Sequence, residues 1–184
     1  VAIGLIFANM FNKNIGVVNM LLTKTGLLNE KINWLGDSRY AFIVVILMCM
    51  WKNFGYFMVI YLSGLSTISG EYYDAAKVDG ANAVQRFFKI TLPLLRPITV
   101  FVLVQGAIGG FQLFDEAKNL VSGTVSTIVG GPVRSLLTIV WYFYDSSFQN
   151  NSRYGYGVAI AFSMTLIIAI ISFINMKMLN RKEE

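Results

Sequence analysis

SGEYYDAAKVDGANAVQRFFKITLPLLRP, residues 69–97, is the one long polar insert between two strongly apolar runs, and its reading decides how the rest of the chain is arranged. The local signals predict two short helices with a break between them. Ser69 is placed to cap the first, and Glu71 and Asp74 sit in its opening turns, where carboxylates suit the positive end of the helix dipole. Gly80 ends that helix, because glycine accepts the left-handed conformation found just past a helix C-terminus. Val84, Phe87 and Phe88, with Ile90 and Leu92 following, recur at i, i+3, i+4 and give the second helix one apolar stripe. Pro93 and Pro97 then stop it and open the next helix. By pattern alone the insert reads equally as a loop that turns the chain around or as a docking platform.

The surroundings are those of a membrane protein. Apolar residues make up 55% of the 184 and only 14% are charged, with a mean hydropathy of +0.60; soluble domains carry about 25% charged residues. The chain opens at Val1 inside an apolar run, and residues 1–11 read as the end of a span whose upstream part is missing, since about 20 residues are needed to cross. No signal peptide is recognisable. Residues 41–65 form the first complete span, 98–114 a second and shorter one, and 157–176 the last. The expected architecture is therefore an all-α integral membrane protein of one domain over 1–184, with 69–97 and 115–155 as loops on opposite sides of the membrane.

Within the first span the one charge is Lys52, near its middle. A lysine at a helix centre costs about 2.5–3.5 kcal/mol on insertion scales, so it is expected to face a wet cavity or other protein; snorkelling toward a surface is the competing reading. In the second span Gly106 and Gly110 make a GxxxG pair that lets another helix approach closely. Gln105, Gly109 and Gln112 fall on one face. That face reads either as a tightly packed helix contact or as a groove offering amide donors and acceptors to a hydroxyl-rich solute. Between the spans, IGVVNMLLTKTGLL (15–28) has the spacing of a short helix lying at the membrane surface. In the 115–155 loop Gly130-Gly131-Pro132 signals a turn, followed by an aromatic helical stretch, SLLTIVWYFYDSSF (135–148), whose Trp141, Tyr142 and Tyr144 suit a membrane interface.

Much chemistry is excluded. The chain has no histidine, which removes imidazole proton transfer and histidine metal sites. Its lone cysteine, Cys49, can build neither an internal disulfide nor a thiolate metal cluster. No G-x-x-x-x-G-K-[ST] run is present, so ATP cannot be cradled here in a P-loop. The carboxylate pairs Glu71/Asp74 and Asp115/Glu116 have nothing converging on them, and helix starts account for both. The net charge of +5 is scattered over loops and termini rather than gathered on one face, which speaks against nucleic acid.

Asp74-Ala75-Ala76, then Gly80, then Ile90-x-Leu92-Pro93, at these offsets, resembles the EAA loop of the permease subunits of binding-protein-dependent ABC importers. Asp replaces the usual Glu at the first position. Gly16, Asn19, Leu22, Gly26-Leu27 and Trp34-Leu35 resemble the segment between two spans of sugar-type permeases of the maltose and multiple-sugar group. So do Gly130-Gly131-Pro132 with Tyr144 and Phe148, although about eight extra residues around 122–129 precede them. The resemblance implies the ABC importer permease core, with the 69–97 loop as a coupling helix docked on a separate ATPase subunit. Its implied coupling residues are Asp74, Ala75, Ala76, Gly80, Ile90, Leu92 and Pro93, with the Phe87/Phe88 stripe anchoring the platform against the spans.

Carried over by position, the solute path falls near Cys49, Lys52, Asn53 and Tyr56 and near Gly109 and Gln112. Tyr56 is suited to stack on a sugar ring, and Asn53 and Gln112 to bond its hydroxyls. The implied partners are a dimer of ATPase subunits that binds the ATP, a second and different permease subunit, an extracytoplasmic solute-binding protein and membrane lipid. The chain itself needs no cofactor or metal and is a transporter subunit rather than an enzyme. The implied setting is a bacterial or archaeal plasma membrane with the coupling loop and C-terminus cytoplasmic and 115–155 as an outer loop. Basic residues divide evenly between the two sides, so only Lys177, Arg181 and Lys182 after the last span support that orientation directly. A non-sugar cargo (glycerol phosphate, polyamine or amino acid) and an ATP-independent carrier or channel are the competing readings. The second lacks the intramembrane carboxylates or histidines that ion coupling calls for.

Overall fold

The computed structural model describes residues 1–122, 128–149 and 153–180, and among these every regular element is helical. In chain order the α-helices are α1 (Ala2–Met10), α2 (Val17–Lys24), α3 (Ser38–Ser66), α4 (Gly70–Val78), α5 (Ala83–Arg86), α6 (Leu92–Leu94), α7 (Arg96–Phe111), α8 (Asp115–Val121), α9 (Ile139–Tyr144) and α10 (Tyr154–Asn180). Two π-helical turns, Phe87–Thr91 and Asp145–Gln149, and a 3₁₀ turn, Pro132–Arg134, complete them. Among the described residues α3 and Tyr154–Asn175 are long and apolar enough to cross a membrane, and Ala83–Leu94 with Arg96–Phe111 form a third candidate bent by 62°.

The chain divides into two compact units, Val1–Lys52 with Gly109–Ile167 and Asn53–Ile108 with Ile168–Glu184. The first unit holds a core of Phe11, Leu35, Ala41, Val44, Val45, Met48, Ala117, Leu120, Val121, Leu136 and Trp141. Ala41, Val44, Val45 and Met48 fall at i, i+3, i+4, i+7 and so form one stripe of α3. Ala117, Leu120 and Val121 repeat that spacing on α8. Within 115–155, α9 falls in the stretch expected to be helical and buries Trp141, while α8 adds a helix beyond that stretch. Gly4 allows α1 to lie against α8, where a Cβ would stand 3.0 Å from Asn119 Cβ. Of the extra residues around 122–129, 123–127 lie outside the described residues, as do Arg181 and Lys182.

The segment before the first long span is tied by side chains. Asp37 Oδ1 accepts from the Arg39 N–H (2.9 Å), and the Asp37 carbonyl from that of Ala41, which caps the start of α3. Asn19 is 1% exposed and sits among Lys13, Ile32 and Trp34. The stretch read as a surface helix is helical over α2, but its polar residue turns inward. In the second glycine pair, Gly130 (φ 89°) and Gly131 (φ 71°) adopt positive φ and make the expected turn; the following Val133 (φ 54°) is a β-branched residue in the same region.

In the second unit Gly106, the first glycine of the GxxxG pair, leaves room beside it. A Cβ on Gly106 would meet only Phe57 at 3.8 Å, and Gly110, in the first unit, faces open space. The close approach is instead at Gly64 on α3, where a Cβ would collide with Ile98 Cδ1 and lie 3.1 Å from Leu95 Cδ2. Missing side-chain bulk at Gly64 is what lets the start of α7 settle there.

Candidate functional site

The 69–97 insert folds as two helical pieces joined by a sharp turn. Ser69 Oγ accepts from the Glu71 N–H at 3.3 Å and caps α4. At the other end the Gly80 N–H reaches the Lys77 carbonyl (3.1 Å) and the Ala81 N–H the Ala76 carbonyl (2.9 Å), with Gly80 at φ +78°. This is the paired bonding that a left-handed residue past a helix end makes available. Asn82 and Gln85 then exchange side-chain and backbone bonds, each 2.9 Å, in a capping box that opens α5.

Beyond α5 the helix does not stop at Pro93 as the sequence suggested. It widens into the π-turn Phe87–Thr91, where the Leu92 N–H bonds back to the Phe87 carbonyl, and runs on through Pro93 to Leu94. A proline ring clashes with the carbonyl four residues before it and offers no N–H; an extra residue per turn relieves both. The direction changes only at Leu95, where the 62° bend leads into α7 with Pro97 in its first turn.

The predicted coupling residues separate into two sets. Ala76, Gly80 and Ile90 line one groove of about 420 Å³, together with Asp79, Ala81, Gln85, Arg86 and Lys89. Asp74, Ala75, Leu92 and Pro93 are exposed outside it. Asp74 Oδ1 accepts from Lys77 Nζ at 2.7 Å on an open surface. The hydrogen bond from the Lys77 ammonium holds the Asp74 carboxyl below its usual range. The shorter Asp is thus used within its own helix. No residue of α4 is buried. In the Phe87/Phe88 stripe the rings pack edge-on against each other (5.2 Å), with Phe87 50% and Phe88 60% exposed.

The predicted solute-path residues belong to different units. In the first, Gln112 is exposed at the mouth of a cleft of about 330 Å³ whose other walls are Ile139, Val140, Phe143, Ile160, Ala161 and Met164. Gly109 is open, with nothing near a built Cβ. Lys52 is paired with Glu116, the second residue of α8. Sequence reasoning missed this partner because Asp115 and Glu116 also satisfy a helix start. The signal was the span itself, since a mid-span ammonium demands a counter-charge. In the second unit Tyr56 is exposed beside Phe57, with ring centroids 5.5 Å apart, and Asn53 is half-buried. Tyr144 and Phe148 stack in a run from Phe114 to Tyr154, with Lys118 Nζ 4.5 Å above the Tyr144 ring.

The ion pair gives a direct test. Its side chains are 43% and 16% exposed, so breaking it is expected to cost less than the 3–5 kcal/mol of a fully buried pair, about 2 kcal/mol. Glu116→Gln and Lys52→Met should each lower the thermal midpoint in detergent, and the double substitution should recover most of the loss. Additive losses would show that the two charges act independently.

Helices of membrane-crossing length and composition define a multi-pass membrane protein. Residues 1–183 match the family described as binding-protein-dependent transport system inner membrane component, and the chain belongs to that family. The lactose transport system permease protein LacF of Rhizobium radiobacter is 36% identical over 174 residues, covering 95% of this chain and 56% of LacF. The arabinooligosaccharides permease protein AraP of Bacillus subtilis (strain 168) is 33% identical over 95% of this chain and 53% of its own length. The chain thus spans little more than half the length of these curated relatives. A crystal structure of a bacterial ABC transporter that imports the acidic polysaccharide alginate shares the fold, with a TM-score of 0.77 at 21% identity over 100% of this chain and 61% of that one.

Proposed function

We propose that this chain is the transmembrane portion of a permease subunit in an ATP-driven importer of a sugar or oligosaccharide. The observation that carries the reading is α4: a capped, well-formed helix without a buried residue, beside an open groove that includes Ala76, Gly80 and Ile90. A nine-residue helix has little stability of its own, and such a helix left uncovered is suited to be completed by a partner. Ala75 and Ala76 offer small side chains that permit close approach. The partner is a pair of ATPase subunits, whose closure on ATP pushes the platform as a rigid body and switches the access of the spans.

In this reading the insert and the C-terminus face the cytoplasm, a second permease subunit completes the path, and a solute-binding protein delivers cargo from outside. The alginate transporter that shares the fold was also crystallised in complex with a pentasaccharide-bound periplasmic protein, which supports such a partner. A sugar cargo is supported by relatives named for lactose and arabinooligosaccharides. Gln112 and Asn53 supply amide groups for sugar hydroxyls and Tyr56 a ring face, while ATP is held by the partner.

The test is a crosslink. With Cys49→Ser removing the native thiol, Ala76→Cys should capture the ATPase subunit in membranes of cells expressing the whole importer. Capture absent at Ala76, or labelling of that cysteine by an impermeant reagent from outside, overturns the assignment.

A further inference from the structure

The docking helix α4 is joined to α5 by the turn at Gly80, whose left-handed backbone makes a natural pivot. Residues 67–69 join the other end of α4 to α3, and short backbone links at both ends leave its lean against the helix that follows to side chains. One such side-chain attachment lies in its N-terminal half. Tyr73, half-buried on the first turns of α4, places its hydroxyl 2.9 Å from Thr91 Oγ1. Thr91 is 7% exposed and closes the π-turn Phe87–Thr91. Its own carbonyl accepts the Leu95 N–H at 3.0 Å, at the residue where the 62° bend into α7 occurs.

We propose that the Tyr73–Thr91 hydrogen bond is a positioning clasp that makes α4 and the bent helix after it one rigid lever, so that displacement of α4 is delivered to α7 instead of being absorbed at Gly80. At 1.5 Å rise per residue, Tyr73 and Asp79 stand about 9 Å apart along α4. The two attachments therefore fix both the position and the tilt of the helix. The bond is side chain to side chain, from a helix with no buried residue, to a threonine that is buried. Neither hydroxyl lines the groove. Their role is thus separable from contact with the docked subunit. This inference rests on the docking reading above, but names residues outside the docking surface.

Tyr73→Phe and Thr91→Val each remove one hydroxyl and keep the shape of the side chain. In the assembled importer, with Cys49→Ser, spin labels at Val78→Cys and Val84→Cys straddle the Gly80 turn on two exposed positions. Either substitution should broaden their distance distribution and raise the undocked population of α4 about fivefold, the order expected for one net hydrogen bond. Solute moved per ATP hydrolysed in proteoliposomes should fall about twofold or more, with the ATPase still co-purifying. The double substitution should be no worse than either single one, since both delete the same bond. An unchanged distribution, additive losses, or broadening without loss of coupling each overturns the clasp. If the unsubstituted chain retains no ATPase at all, the docking reading itself falls and the coupling role goes with it; retention with an unchanged transport ratio sinks the clasp alone.

Discussion

Gly80→Trp is expected to abolish solute-stimulated ATP hydrolysis by the assembled importer while leaving insertion of the chain intact. Two effects converge on this residue. Its φ of +78° lies where an L side chain costs about 1–2 kcal/mol, because Cβ crowds the following carbonyl. A Cβ built there meets nothing within 4 Å, so an indole would extend freely into the groove shared by Ala76, Arg86, Lys89 and Ile90. On the docking reading proposed above, that free space is where the partner sits. Gly80→Asn separates the two effects, since asparagine tolerates the left-handed region and is small. It should retain most of the stimulation. Stimulated hydrolysis that survives in Gly80→Trp at the rate of the unsubstituted importer would mean that the groove is not a docking surface.

The sequence made this turn legible because each signal there is local. Ser69, Gly80 and the proline pair act through backbone geometry within one or two turns, and the caps at Ser69 and Gly80 fold as their residue types dictate. The stripe Val84–Phe87–Phe88 assumes a period of 3.6, and the π-turn breaks that period. Pro93 signals a stop because an α-helix has no room for it; the wider π-turn, with its i to i+5 bond, makes the room. The 62° bend accordingly moves to Leu95. A pattern that assumes one helical pitch cannot place a residue beyond a change of pitch.

Long-range pairings were the other blind region. Lys52 and Glu116 are separated by 64 positions, and Tyr73 and Thr91 by 18. Nothing in residue type alone joins them. Glycine spacing has a related blind side. GxxxG marks a face that is able to receive a helix, and at Gly106 and Gly110 the described chain leaves that face open apart from Phe57, while the lone Gly64, which no motif marks, receives Leu95 and Ile98. The solute-path residues were carried by position along two spans. The structure adds to them a counter-charge at Glu116 and apolar walls around Gln112. The insert and the path consequently differ in how firmly sequence defines them: backbone chemistry fixes the first, and side chains from distant segments make the second.

Asn19→Leu is expected to destabilise the first unit severely, by about 4 kcal/mol. The amide of Asn19 is fully used. Its Nδ2 donates to the carbonyls of Lys13 (3.1 Å) and Ile32 (2.8 Å), and its Oδ1 accepts from the Ile32 N–H (3.3 Å) and Trp34 Nε1 (2.9 Å). An asparagine side chain has two N–H donors and two oxygen lone pairs, so nothing is left over and nothing smaller or apolar replaces it. Leucine keeps the volume but orphans four groups, each costing about 1–3 kcal/mol where water cannot reach, less what relaxation recovers. The Trp34 indole, which packs edge-on to Phe11 (5.6 Å) and Tyr40 (5.4 Å), would lose the bond that orients it. Asn19→Asp keeps the acceptors but turns a carboxylate oxygen toward two carbonyls, so it should be nearly as damaging, and less so at acid pH, where the protonated acid regains one donor. Chemical denaturation in detergent, followed by fluorescence and by protease cleavage between α2 and α3, measures the loss. A denaturation midpoint unmoved by Asn19→Leu would show that α2 is held by its apolar contacts, with the amide network contributing little.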